Sequence, residues 1–134
     1  MIRKKTVLVG GAFNIIHPGH LYFLEEAKKM GKKLVVVVAS DRTILKNDKK
    51  LLHPAKERAE RINVLSFVDK AVIGDDIDMS RVIREEKPKV IAIGYDQSEK
   101  MVRDLISASG VSCEVVRIEK LKGYSTKKIT EGKK

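Results

Sequence analysis

Two histidines three positions apart, His17 and His20, flank Pro18-Gly19 directly after the small residues Gly10-Gly11-Ala12 and the pair Phe13-Asn14. Small residues let backbone N–H groups approach a phosphate closely, and a helix N-terminus adds unpaired donors and a partial positive charge. Pro18 suits a first helical turn, because the N–H it lacks would be unpaired there. The spacing of three brings both imidazoles to one side of that turn, toward a single anion. Phosphate binding is the chemistry these residue types favour. No G-x-G-x-x-G fingerprint is present, and neither is a P-loop ending in Gly-Lys-Ser/Thr. Two other readings of the histidines stay open: ordinary surface residues at a helix start, and a metal pair. The metal pair needs a third ligand, and the remaining histidine, His53, and the lone Cys113 fall in a polar segment and a strand.

Strand and helix signals alternate around this segment. Residues 6–10, 34–39, 70–73, 90–93 and 112–118 read as strands, and the apolar run 34–39 suits one buried on both faces. Residues 18–30 have helical spacing, with Gly31 as a C-cap; 55–67 form a second helix. Helix 81–86 is capped by Ser80 and stops at Lys87-Pro88, and helix 99–109 ends at Gly110. Residues 40–54 are polar, rich in lysine and irregular, and 74–78 form an acidic loop whose Asp75, Asp76 and Asp78 are expected to be solvated. The alternation predicts an α/β fold: a doubly wound, Rossmann-like, five-stranded parallel sheet in one domain over residues 1–134. Such sheets bind ligands along the edge formed by the C-terminal ends of their strands. That edge collects residues 10–14, 39–41, 74–76, 94–97 and the segment after Ile118.

The chain has 134 residues, 43% of them hydrophobic, which is enough for one ordinary core. No apolar run approaches the roughly 20 residues of a membrane span, and no signal peptide is visible, so no membrane is expected and the cytoplasm is the expected compartment. A single cysteine rules out an intrachain disulfide and fits a reducing compartment. The net charge of +10 is compatible with nucleic acid, an acidic surface or a polyphosphate. Aromatics are only 4% of residues and are not interleaved with the lysines, so no nucleic-acid partner is expected.

Residues 10–20 resemble the signature of the cytidylyltransferase-like nucleotidyltransferases, G-x-F-D-x-x-H-x-G-H, an element this superfamily shares with class I aminoacyl-tRNA synthetases. Gly94-Tyr95-Asp96-Gln97 is similar to its nucleotide-binding motif after a strand. Gly123-Tyr124-Ser125-Thr126 resembles its C-terminal G-[IVY]-S-T element at a helix start, and Pro54 with Glu57-Arg58 resembles its P-x-x-[EQ]-R helix start. These matches come in family order and span nearly the whole chain. Within the superfamily the likeness runs to the small archaeal FAD synthases, through residues 94–97 and Cys113-Glu114-Val115-Val116-Arg117. Bacterial glycerol-3-phosphate cytidylyltransferase comes next. Asn14 stands where the family carries aspartate, and Lys120 where relatives often carry arginine.

The resemblance implies transfer of AMP from ATP to a phosphorylated acceptor, with ATP favoured over CTP and FMN favoured as acceptor. Glycerol 3-phosphate or a sugar phosphate remains the alternative acceptor, and a nucleotide-binding module without turnover the alternative of another class. His17, His20, Lys46, Ser125 and Thr126 take the catalytic roles, stabilising charge on the phosphates. Gly11, Ala12, Phe13, Asn14, Pro18, Gly19, Tyr95, Asp96, Tyr124 and Ser125 complete the nucleotide site with the histidines. Lys46 and Arg58 are assigned to the acceptor. Mg²⁺ is expected to arrive with the triphosphate, since no dedicated carboxylate cage is evident. A homodimer is usual for relatives of this size.

Overall fold

Five short runs of aliphatic residues form the strands of a single parallel sheet in the computed structural model, which describes residues 5–14, 16–46, 50–78 and 80–119. They are β1 (Thr6–Gly11), β2 (Lys33–Val38), β3 (Lys70–Ile73), β4 (Val90–Ile93) and β5 (Glu114–Arg117). The sheet order is β3-β2-β1-β4-β5, with β1 paired to β2 through Val7↔Leu34 and to β4 through Val7↔Val90. The connecting helices are α1 (Pro18–Lys28), α2 (Asp41–Lys46), α3 (Ala55–Asn63), α4 (Arg81–Glu86) and α5 (Glu99–Ser109). The expected doubly wound sheet is present.

Alternation along the strands divides the core in two, because successive strand side chains point to opposite faces. Val7, Val9, Leu34, Val36 and Val38 join Leu24 and Ala27 of α1 and Ile62 of α3 on one face. Leu8, Val35, Ile91 and Ile93 join Val82 and Ile83 of α4 on the other, with Val102 and Leu105 of α5 packed against them. Right-handed crossovers explain this division. The chain winds from β1 outward to β3, then returns over the opposite face to β4 and β5. Its direction reverses between β1 and β4, where doubly wound sheets open a ligand crevice.

Several local details differ from expectation. Helix α1 ends at Lys28 with Lys29 as a right-handed C-cap, so Gly31 is not the terminating residue. Close approach is what requires glycine at position 31: a Cβ there would lie 2.5 Å from the Lys5 carbonyl oxygen. Gly31→Ala is therefore expected to force a backbone shift and lower stability by about 1–3 kcal/mol, the range of overpacking, measurable in denaturant unfolding. Gly110 does play the expected cap, at φ 74°. Within the segment expected to be irregular lies α2. The Ser40 hydroxyl accepts the Thr43 N–H at 3.1 Å, and Asp41 occupies the first turn, Lys46 the last. Helix α3 stops at Asn63, short of residue 67, leaving Val64 81% exposed. The following turn lets the Asp69 N–H reach the Leu34 carbonyl at 3.0 Å and lets its carboxylate accept the Leu34 N–H at 2.7 Å. Ser80 precedes α4, but its hydroxyl bonds Asp78 and Arg84 rather than capping the helix.

Candidate active site

The turn after β1 is held by a buried aromatic anchor. Phe13 is 5% exposed and packs into the core on the α1 side of the sheet. Its φ of 52° is a left-handed conformation that a non-glycine residue rarely adopts, and such strain concentrates at binding turns. The ring meets His20 edge-on, with centroids 5.5 Å apart. It also lies where a side chain at Gly11 would go, since a Cβ there would come within 2.9 Å of Phe13 Cε2.

Helix α1 begins with a capping box made by the two histidines. His17, in extended conformation, is the N-cap, and its Nδ1 accepts the Gly19 N–H at 3.0 Å. In return the His17 N–H donates to Nδ1 of His20 at 3.3 Å. The rings stack with centroids 3.8 Å apart. Both Nδ1 atoms are thus acceptors, so the neutral rings carry their protons on Nε2. Each imidazole is fixed as an Nε2–H donor.

Burial lowers the pKa of His17 from the ordinary value of 6.5. The unfolded chain therefore binds this proton before the native chain does, and stability falls as pH drops through 6.5 toward the lower native value. We expect the melting temperature to decline more steeply between pH 8 and pH 5 in the unaltered protein than in a His17→Asn variant. Parallel declines would mean that His17 does not carry the effect.

Arg58 requires a correction. Sequence reasoning assigned it to the acceptor, yet its side chain is 0% exposed. Nε donates to the His53 carbonyl at 2.8 Å, Nη1 to the Ala12 carbonyl at 2.7 Å and Nη2 to Asp41 Oδ1 at 2.9 Å. Asp41 Oδ1 also accepts the Ala55 N–H at 2.7 Å. Arg58 is an internal strut joining the β1–α1 turn to the starts of α2 and α3. Asn14 makes a second tie, donating from Nδ2 to the Lys50 carbonyl at 2.8 Å and accepting the Leu52 N–H at 3.4 Å. An aspartate at that position has no N–H for the Lys50 carbonyl.

Gly11, Ala12, Pro18 and Gly19 lie along this turn and the first turn of α1. Exposed Tyr95 and Asp96 occupy the turn after β4, at the same sheet edge, and exposed Lys46 ends α2. Tyr124, Ser125, Thr126 and Lys120 fall outside the described residues.

Two residues assigned no role from sequence organise the second turn. Gln97 bridges Gly94 and Gly10, and Arg117 donates from Nη1 to the Gly94, Tyr95 and Gln97 carbonyls. The strand register offers a cue only in hindsight: Arg117 pairs with Ile93, level with the start of that turn.

A cavity of about 320 Å³ lies under α4 and α5 and reaches Gly10, Gly11 and Ala12. Its walls are mainly apolar, including Leu8, Val37, Ile44, Val82, Ile91 and Leu105. Ser40 and Thr43 lie at the cavity beside Asp75, and both hydroxyls donate to the carboxylate of Asp76. Among the described residues no group of three or more His, Cys, Asp or Glu is placed to hold a metal ion, and no helix is long and apolar enough to cross a membrane.

Residues 8–132 match the cytidylyltransferase-like family. The chain belongs to that family. It is 45% identical over 116 residues to the FAD synthase of Ferroglobus placidus, covering 85% of this chain and 76% of that protein. The FAD synthase of Methanothermobacter thermautotrophicus is 44% identical over 121 residues, covering 87% and 80%. Among solved structures, the lipopolysaccharide core biosynthesis protein of Thermoplasma volcanium superposes with a TM-score of 0.83 at 38% identity, over 90% of this chain and all of the other. In this family member the Gly-rich turn and the two Nε2–H donors stand together at the reversal of the sheet.

Proposed function

We propose that this chain transfers AMP from ATP to FMN, forming FAD and releasing pyrophosphate. The observation that carries the reading is the apolar cavity beside the β1–α1 turn. A planar flavin ring gains from apolar walls, whereas glycerol phosphate or a sugar phosphate would bury hydroxyls against aliphatic side chains without partners. Relatives named FAD synthase, 38–45% identical to the chain, support the same acceptor.

In the reaction, an oxygen of the acceptor phosphate attacks the α-phosphorus. A new P–O–P linkage forms, and the bond to the bridging oxygen of the β-phosphate breaks. Its electrons leave with pyrophosphate. The attacking phosphate is already anionic, so no general base is needed. His17 and His20 donate from Nε2 to phosphate oxygens as charge shifts toward the leaving group. Backbone N–H groups of the turn and the N-terminal end of α1 add to that stabilisation. Phe13 and Arg58 hold the turn in place. Tyr95 and Asp96 recognise base and ribose, Lys46 reaches a phosphate, and Ser125 and Thr126 serve the β- and γ-phosphates. Mg²⁺ would enter with the triphosphate, offset its charge and keep several of its waters.

The test is pyrophosphate release by purified protein with Mg²⁺, crossing ATP and CTP with FMN, glycerol 3-phosphate and a sugar 1-phosphate. Release with ATP and FMN alone is the expected result. Release only with a sugar phosphate would overturn the acceptor and keep the chemistry, an outcome made specific by the name of the Thermoplasma volcanium protein. Nucleotide binding without release from any pair would overturn the reaction.

A further inference from the structure

The β1–β4 ladder pairs only Val7↔Val90 and Leu8↔Ile91, although β1 continues to Gly11 and β4 to Ile93. Above Leu8 the two central strands part, and this is the crevice where the winding of the sheet reverses. One side chain spans it. Gln97 accepts the Gly94 N–H at 2.7 Å through Oε1 and donates from Nε2 to the Gly10 carbonyl at 2.9 Å. A side-chain amide carries an acceptor oxygen and a donor nitrogen in one plane, which suits it to this bridge. The Gln97 N–H in turn donates to the Gly94 carbonyl at 3.2 Å, closing the turn. From the outer strand, Nη1 of Arg117 donates to the carbonyls of Gly94 at 2.8 Å, Tyr95 at 3.1 Å and Gln97 at 3.1 Å. The two N–H groups of one cationic nitrogen thus serve three carbonyls of one short turn, one of them shared, and its charge strengthens the contacts.

We propose that Gln97 and Arg117 form a two-part brace that sets the position of the Tyr95-Asp96 turn relative to the phosphate-binding turn at Gly10, and so act as positioning residues for the nucleotide. Gln97 fixes the width of the crevice and Arg117 fixes the shape of the turn across it. The proposal rests on the nucleotide-binding reading above, but not on the identity of the acceptor.

Three variants test it. Gln97→Glu keeps the shape and the acceptor for Gly94 but sets a carboxylate against the Gly10 carbonyl. Arg117→Met removes the cation at similar length, and Arg117→Lys restores a cation with several donors. Affinity for Mg²⁺-ATP is read by calorimetry, KM and kcat by steady-state turnover, FMN affinity by fluorescence quenching and folding by the melting temperature. In Gln97→Glu and Arg117→Met the dissociation constant and KM for ATP should rise by about tenfold, as the turn loses its fixed position. Turnover at saturating ATP should change by less than about threefold, as expected when uniform binding is lost. Arg117→Met should leave FMN affinity unchanged, and Arg117→Lys should recover most of the ATP affinity. Unchanged ATP affinity in the first two variants would overturn the brace. So would equal weakening of ATP and FMN in Arg117→Met together with a large fall in melting temperature, which would indicate general loosening. If the unaltered protein binds ATP but makes no FAD, the acceptor reading falls while the calorimetric comparison still judges the brace. If it binds no ATP, both fall.

Discussion

Replacing His17 with alanine is expected to lower turnover by about 10²–10³-fold, the usual cost of removing one donor aimed at developing charge. The substitution also deletes an N-cap, because Nδ1 of His17 accepts the Gly19 N–H. Losing that cap costs about 1 kcal/mol and a few degrees of melting temperature. The two contributions can be separated. His17→Asn supplies a side-chain oxygen that caps the helix well, but its amide is too short to occupy the position of the imidazole Nε2. It should recover the melting temperature while turnover stays low. Near-normal turnover in His17→Ala would remove the histidine from the phosphates and leave only its capping role. Recovery of both quantities in His17→Asn would say that the cap alone matters.

The second large effect concerns stability. Arg58→Met should destabilise the fold by about 3–5 kcal/mol, since it removes a buried guanidinium that serves two carbonyls and the partly exposed carboxylate of Asp41. Methionine fills much of the volume but leaves the carbonyls of Ala12 and His53 without their donor, each at a cost of about 1–3 kcal/mol. For a domain of this size the melting temperature should fall by roughly 10–20 °C. Arg58→Lys should not rescue it fully, since an ammonium cannot point at three acceptors in the planar pattern of a guanidinium. The alternative, an arginine that grips the acceptor phosphate, predicts the reverse: a raised KM for the acceptor and an unchanged melting temperature. Thermal denaturation and acceptor titration of the same variant therefore decide between strut and ligand contact. Activity should also drop in Arg58→Met, because the Ala12 carbonyl belongs to the turn proposed to bind the phosphates.

Both effects begin at residues the sequence singled out, and at one of them the sequence also carried the local geometry. His17 and His20 act within a single helical turn, so their spacing carried their geometry. The same holds for Pro18 at the first helical position, for Gly110 at φ 74° and for the alternation of five strands and helices. Local periodicity and turn chemistry depend on neighbours three or four positions away, and the sequence displays those neighbours directly. The helix α2 was legible in principle, because Ser40-Asp41 is a normal helix start. The surrounding lysines obscured it, since solvated charge is common to helices and loops.

What tertiary structure alone decided are contacts between distant positions. Arg58 reads as an acceptor contact in the sequence, yet the bond from its guanidinium to the Ala12 carbonyl spans 46 positions and its burial follows from the packing of α3 beneath the turn. The Gln97 bridge to Gly10 spans 87 positions and exists because β4 lies beside β1 in the sheet. Gly31 signals a helix end in sequence, whereas the Lys5 carbonyl beside it is what excludes a side chain. The cavity has no sequence signature at all, being the gap left where α4 and α5 cover one face of the sheet. The sequence by itself therefore determined the architecture and the Gly-rich turn with its helix start, since both arise from short-range pattern. Which polar groups brace that turn, and where an apolar cavity opens beside it, depended on strand order, because only the folded sheet brings those segments together.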